Sequence, residues 1–121
     1  TFLQGTAGNS NWSKEAETMQ KSLQDLTSIS EELLQKAATD ENLVNSVAVE
    51  YLHLVGYISY GYMWLRMAVA AEQKQAEKPY LASKIKTARF YFARIMPRTH
   101  ALLGAIKDGS ESLYLHDDEQ F

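Results

Sequence analysis

The chain predicts an all-α fold: an antiparallel up-down bundle of three long helices, with room for a short fourth element. Apolar residues recur at three- and four-residue steps over long stretches, and only two prolines and six glycines interrupt the 121 residues. No run alternates apolar with polar residues as a strand would, and no internal repeat is present. A length of 121 residues with 45% apolar side chains suits one domain with a packed core.

Residues 1–10 and 116–121 are polar, short and unpatterned, so they are expected to be loose ends or segments docked elsewhere in a larger protein, with an N-terminal loop or linker over 1–12, the bundle over 13–115 and a tail over 116–121. In the first helix Trp12, Ala16, Met19, Leu23, Leu26, Ser30, Leu33 and Ala37 share a face, and Asn11 or Ser13 can cap its start. The second helix follows Asp40, whose carboxylate suits a helix N-terminus, and runs to about Lys74, roughly 50 Å at ~1.5 Å per residue. The third begins near Pro79 and points Leu81, Ile85, Ala88, Phe92 and Ile95 inward. Pro97 removes a backbone donor and should kink this helix without ending it, because Leu102, Leu103 and Ile106 keep the period. Gly109 stops it.

The stretch Tyr51 to Ala71 is apolar almost all round, which marks the second helix as the central one. Val49, Leu52, Tyr60, Met63 and Val69 do not share a face with Val47, Leu54, Ile58 and Leu65, so two neighbouring helices cannot cover it. Further protein must do so, either another copy or domains beyond this chain. A membrane span is the rival reading of the same stretch. It is disfavoured because Arg66 at depth would cost ~3 kcal/mol, and Glu50, His53 and four tyrosines add to that.

The net charge of -3 gives no global reason to approach nucleic acid or anionic lipid. Zero cysteines exclude a disulfide framework, a thiolate nucleophile and a zinc-cysteine site, and fit a reducing cytoplasm. No secretory signal is read at the first residues.

Three polar groupings invite a functional reading. Glu50 and His53 form a Glu-x-x-His pair, the unit of carboxylate-bridged di-iron bundles, but such sites need it twice and His100 has no glutamate three residues earlier. No metal is therefore expected, and a core or surface histidine is the plainer reading. Lys84, Lys86, Arg89, Arg94 and Arg98 crowd the third helix, whereas Glu15, Glu17, Asp25, Glu31 and Glu32 crowd the first. Counting from the turns sets Arg89 level with Glu15 or Glu17, and Arg98 level with Asp25, so interhelix ion pairs are expected. The alternative is an anion site clamped by Arg89 and Arg94. Arg66, with Glu50 and His53, is expected to be a buried polar group that needs an internal partner. The aromatic run Tyr57, Tyr60, Tyr62, Trp64 and Phe90 to Phe92 can stack a ring cofactor, although this spacing is also that of core residues. No glycine-rich phosphate loop, Ser-His-Asp arrangement or paired-carboxylate signature is present.

The blocks YLHLVGYISYGYMWLRMA and KIKTARFYFARIMPRTHALLGAIKDGSESL resemble the C-terminal helical domain of bacterial acyl-CoA dehydrogenases, including the 3-methylmercaptopropionyl-CoA dehydrogenase class. The resemblance spans most of residues 13–115 and is most specific over Lys86 to Pro97 and Gly61 to Ala68, while the first helix matches only in pattern. It implies a parent flavoenzyme in which a glutamate removes the α-proton of an acyl-CoA thioester as hydride passes from the β-carbon to FAD. The flavin contacts and the catalytic base belong to preceding domains, so no catalytic or cofactor-binding residue is expected here. The implied partners are the catalytic domains of the parent, its acyl-CoA substrate, and a second copy through the bundle. The competing expectation is a free-standing helical protein-interaction module.

Overall fold

The computed structural model describes residues 1–120. Five α-helices follow in order: α1 (Phe2–Ala7), α2 (Ser13–Ala37), α3 (Leu43–Lys74), α4 (Ala82–Phe90) and α5 (Arg98–Asp108). A π-helical segment, Tyr91–Ile95, joins α4 to α5, and a 3-10 turn at Pro79–Leu81 leads into α4. The α4–π–α5 run is the third long helix, so the up-down bundle stands, and no strand occurs among the described residues. Short 3-10 turns, Glu111–Tyr114 and Asp118–Gln120, complete the exposed end. Phe121, the last residue of the expected tail, lies outside the described residues.

One carboxylate ties each end of the bundle. Glu72, near the end of α3, accepts from the Asn11 amide nitrogen at 2.7 Å and from the Trp12 indole N–H at 3.2 Å, fixing where α2 begins. Neither Asn11 nor Ser13 caps α2: Trp12 occupies the N-cap without a side-chain hydrogen bond, because its fully buried indole anchors the turn instead. At the other end Asp40 accepts from the Asn42 backbone N–H at 3.0 Å and from the Ser110 hydroxyl, joining the start of α3 to the segment after α5. Gly109, at φ 77°, turns the chain out of α5.

Pro97 does what its chemistry requires. Lacking an N–H, it cannot continue the ladder, and the preceding turn widens so that the Met96 N–H reaches the Tyr91 carbonyl at 2.9 Å, a five-residue step. The Thr99 N–H then bonds to the Met96 carbonyl at 3.1 Å, and α5 resumes. At this break Tyr91 and Met96 turn inward, whereas Phe92 and Ile95 are only half-buried.

The core is a seam of Trp12 at the N-cap of α2 with Ala16, Met19 and Ile29 from that helix, Val47, Leu54, Ile58 and Leu65 from α3, and Ala88, Met96, Leu103 and Ile106 from the third helix. Gly61 marks its tightest point. A Cβ there would lie 2.9 Å from Met96 Sδ and 3.0 Å from Met19 Sδ, so its hydrogen lets all three helices close on one level.

The expectation of a loose N-terminus is corrected. Residues 2–7 form α1, held by a capping box: the Gln4 N–H donates to Thr1 Oγ1 at 3.3 Å, and the Thr1 amine donates to Gln4 Oε1 at 2.9 Å. Leu3 and Thr6 are buried, and Phe2 meets Tyr62 edge to face, with centroids 5.7 Å apart.

Candidate functional site

α3 is buried on one side only. Val47, Leu54, Ile58 and Leu65 face the core, whereas Val49 is 62%, Leu52 69%, Tyr60 64% and Met63 52% exposed. The separation of faces read from the spacing is present except at Val69, which is half-buried and packs against the core. Each exposed residue is ordinary alone; their alignment along one helix is not.

Between the second half of α2 and the first half of α3 this surface deepens into a groove of about 700 Å³. Leu33, Leu34 and Ala37 form one wall, and Val44, Tyr51 and Leu52 the other. Its only polar side chains are Ser30 and Tyr51, whose oxygens lie 2.6 Å apart. The Ser30 hydroxyl donates to the Leu26 carbonyl at 2.7 Å, so the Tyr51 hydroxyl donates to Ser30, and the pair offers little to a ligand. An apolar trough with no charged wall and no phosphate-binding loop does not fit a flavin dinucleotide or the charged part of coenzyme A. It fits apolar protein side chains. Leu33, assigned from the sequence to the core-facing stripe, is half-buried against the core and also borders the groove, whereas Leu23 of the same stripe is exposed.

Arg89 is committed within the fold. Its Nη1 donates to Glu15 Oε1, its Nη2 donates to the Asn11 carbonyl, and its guanidinium lies over the Trp12 ring, 3.6 Å from the centroid. The level of Arg89 with Glu15, counted from the turns, is thus the observed pairing. Arg98 and Asp25 do not pair; Asp25 bonds instead to Lys21, one turn away at 3.2 Å. Among the described residues Arg94 and Arg98 make no ion pair, and both are exposed. With Arg89 engaged by Glu15 and Asn11, the geometry does not assemble a clamp from these three arginines.

The expected buried polar trio is corrected as well. Arg66 and His53 are exposed and Glu50 is half-buried, because none of the three lies on the side of α3 that carries Leu54, Ile58 and Leu65. Arg66 spreads over the rings of Phe2 and Tyr62, 5.4 and 5.8 Å from their centroids, and so keeps its charge in water. Among the described residues no group of three or more metal-ligating side chains gathers, around Glu50 and His53 or elsewhere. Of the aromatic run, Tyr91 is core, Tyr57, Tyr62, Trp64 and Phe92 are half-buried, and Tyr60 and Phe90 are exposed. The Tyr91 hydroxyl donates to the Tyr57 carbonyl at 2.7 Å, and burial pushes its pKa up to about 12, with smaller contributions from Tyr57 and Tyr60. Among the described residues, no helix is long and apolar enough to cross a membrane.

Sequence reasoning missed Glu72 and the joint between Asp40 and Ser110. Both are contacts between residues 60 or more positions apart, which no local pattern encodes. α1 did leave a signal, the Thr1-x-x-Gln4 spacing of a capping box.

A family model described as acetyl-CoA dehydrogenase C-terminal like matches residues 1–116. No curated protein matches the chain.

Proposed function

We propose, for a chain that belongs to the acetyl-CoA dehydrogenase C-terminal-like family, that it serves an FAD-dependent acyl-CoA dehydrogenase as a docking domain and carries none of the reacting groups. Membership makes it an accessory domain of acyl-CoA dehydrogenases, associated with their catalytic domains. The finer reading concerns the division of labour. Proton abstraction by a glutamate, hydride transfer to FAD and binding of the acyl-CoA thioester belong to the catalytic domains, in the 3-methylmercaptopropionyl-CoA dehydrogenase class or a near relative. This bundle supplies apolar contact to those domains and to a second subunit.

The open apolar side of α3, with the groove beside it, carries this reading. At ~25 cal/mol per Å², covering Leu52 alone would stabilise an assembly by roughly 2 kcal/mol, and a row of such residues is enough to hold two proteins together. The polar groups support the same view, since Arg89 serves the fold and the groove has no charge with which to hold a cofactor.

Mixing the purified chain with the separately expressed catalytic domains of a parent dehydrogenase tests the proposal. A stoichiometric complex that is lost in Leu34→Glu, within the groove, supports it. Tight FAD binding or acyl-CoA turnover by the isolated chain would overturn it.

A further inference from the structure

A pocket of about 300 Å³ opens where the end of α3 turns toward α4. Its floor is apolar, made by Met67 and Ala71 of α3 and by Leu81, and Tyr80, 65% exposed, stands beside it. Three lysines from successive segments line it: Lys74 closes α3, Lys78 precedes the 3-10 turn, and Lys84 lies in the first turn of α4. All three are exposed, and none makes an ion pair among the described residues. The acids nearest in sequence do not neutralise them, since Glu77 is not part of the lining and Glu72 is engaged by Asn11 and Trp12. Lys74 suits a helix C-terminus by itself, whereas Lys78 and Lys84 answer no charge within the fold.

We infer that this pocket binds a phosphomonoester carried on a ring, the chemistry of a mononucleotide. Like charges gathered around one depression repel, and an anion seated among them relieves the repulsion. A phosphomonoester brings close to two negative charges near pH 7 and three strong acceptor oxygens, against one charge and two oxygens for a carboxylate. Ammonium groups suit it as compact point charges, each with three donors. The ring then lies over the apolar floor, where the small Ala71 side chain permits close approach, with the Tyr80 ring and the Met67 thioether as neighbours. A volume of about 300 Å³ is at the lower end for ligand pockets and leaves room for one ring and one phosphate, not for a dinucleotide. A flavin dinucleotide also has the wrong charge, because each of its phosphates is esterified on both sides. Docking needs none of these lysines, so the pocket adds a second role to the domain. The same chemistry occurs in a free mononucleotide and in the ribose phosphate at the nucleotide end of coenzyme A.

Isothermal titration calorimetry of the 121-residue chain with adenosine 5′-monophosphate and with coenzyme A tests this, with circular dichroism as the control for folding. At least one of the two binds with a Kd below about 1 mM, adenosine does not bind, and inorganic phosphate binds more weakly by about tenfold or more. Lys78→Ala and Lys84→Ala each weaken binding roughly fivefold and Lys78→Glu abolishes it, all with unchanged helicity. Lys107→Ala, in the last turn of α5, leaves binding unchanged. The two sources of the phosphate separate in the same titrations. Coenzyme A bound more tightly than both its 3′-dephospho form and the free nucleotide identifies the coenzyme end as the ligand, and the free nucleotide bound more tightly than coenzyme A identifies a mononucleotide. No binding of either compound, inorganic phosphate bound as tightly as the nucleotide, or a loss in Lys107→Ala equal to that in Lys78→Ala would overturn the inference.

Discussion

Arg89 ties three groups together, because one guanidinium meets the Trp12 ring, the Glu15 carboxylate and the Asn11 carbonyl at the point where α2 begins. Arg89→Ala leaves Glu15, whose side chain is 11% exposed, without its partner, and should cost about 2 kcal/mol in denaturant unfolding after allowing for solvent screening of the half-exposed arginine. In the parent enzyme the same change should lower the melting temperature and leave KM for acyl-CoA unchanged. A raised KM at unchanged stability would restore the anion-site reading. Arg89→Lys should recover less than half of the loss, since an ammonium lacks the planar fork that stacks and bonds together. Tyr91 gives a prediction in pH. Its phenol stays neutral in the folded protein to about pH 12, against an ordinary value of 10.0, so the unfolded chain ionises first. Stability is therefore complete below about pH 10 and falls as pH rises toward 12, with a slope approaching 1.4 kcal/mol per pH unit for one proton. Urea titrations from pH 8 to 12 should show a shallower fall in Tyr91→Phe, offset at neutral pH by about 1 kcal/mol for the lost bond to Tyr57.

At the scale of elements, the helices themselves were legible because period, proline and glycine are local properties. Pro97 forecast a break that continues as helix, and the structure shows how: the turn before it widens by one residue. What the spacing did not show was how far each residue of the one apolar stripe on α2 is buried. Met19 and Ile29 are fully buried and Leu33 is half-buried against the core, while Leu23 is exposed, a difference set by where α3 and α5 lie rather than by the stripe itself. α1 was missed because six residues are too few to display a period, although its capping box was readable. Gly61 separates tight from open packing on α3. Gly61→Val should destabilise by roughly 2 kcal/mol, because two buried methionine sulfurs stand within 3.0 Å of the first added carbon. Thermal denaturation measures this, and an unchanged melting temperature would show that the three helices do not close there.

For the whole molecule, the excess apolar surface of α3 was the most informative property of the sequence, since counting faces on a helix needs no knowledge of tertiary contacts. Where polar side chains point was less legible. Arg66 and His53 seemed internal because their helix is the central one, yet a central helix in a three-helix bundle still has a free side. Family membership agrees with that free side, since a domain that works beside catalytic domains has surface left for them. The four methionines sample both sides of the claim: Met19 and Met96 are 0% and 2% exposed, whereas Met63 and Met67 are 52% and 39% exposed. Mild peroxide oxidation, read peptide by peptide in the dilute isolated chain and in the complete parent enzyme, therefore tests it most directly. The account predicts that Met63 and Met67 oxidise quickly in the isolated chain and are protected in the parent, with Met19 and Met96 slow in both. Equal oxidation of Met63 and Met67 in the two samples would contradict it.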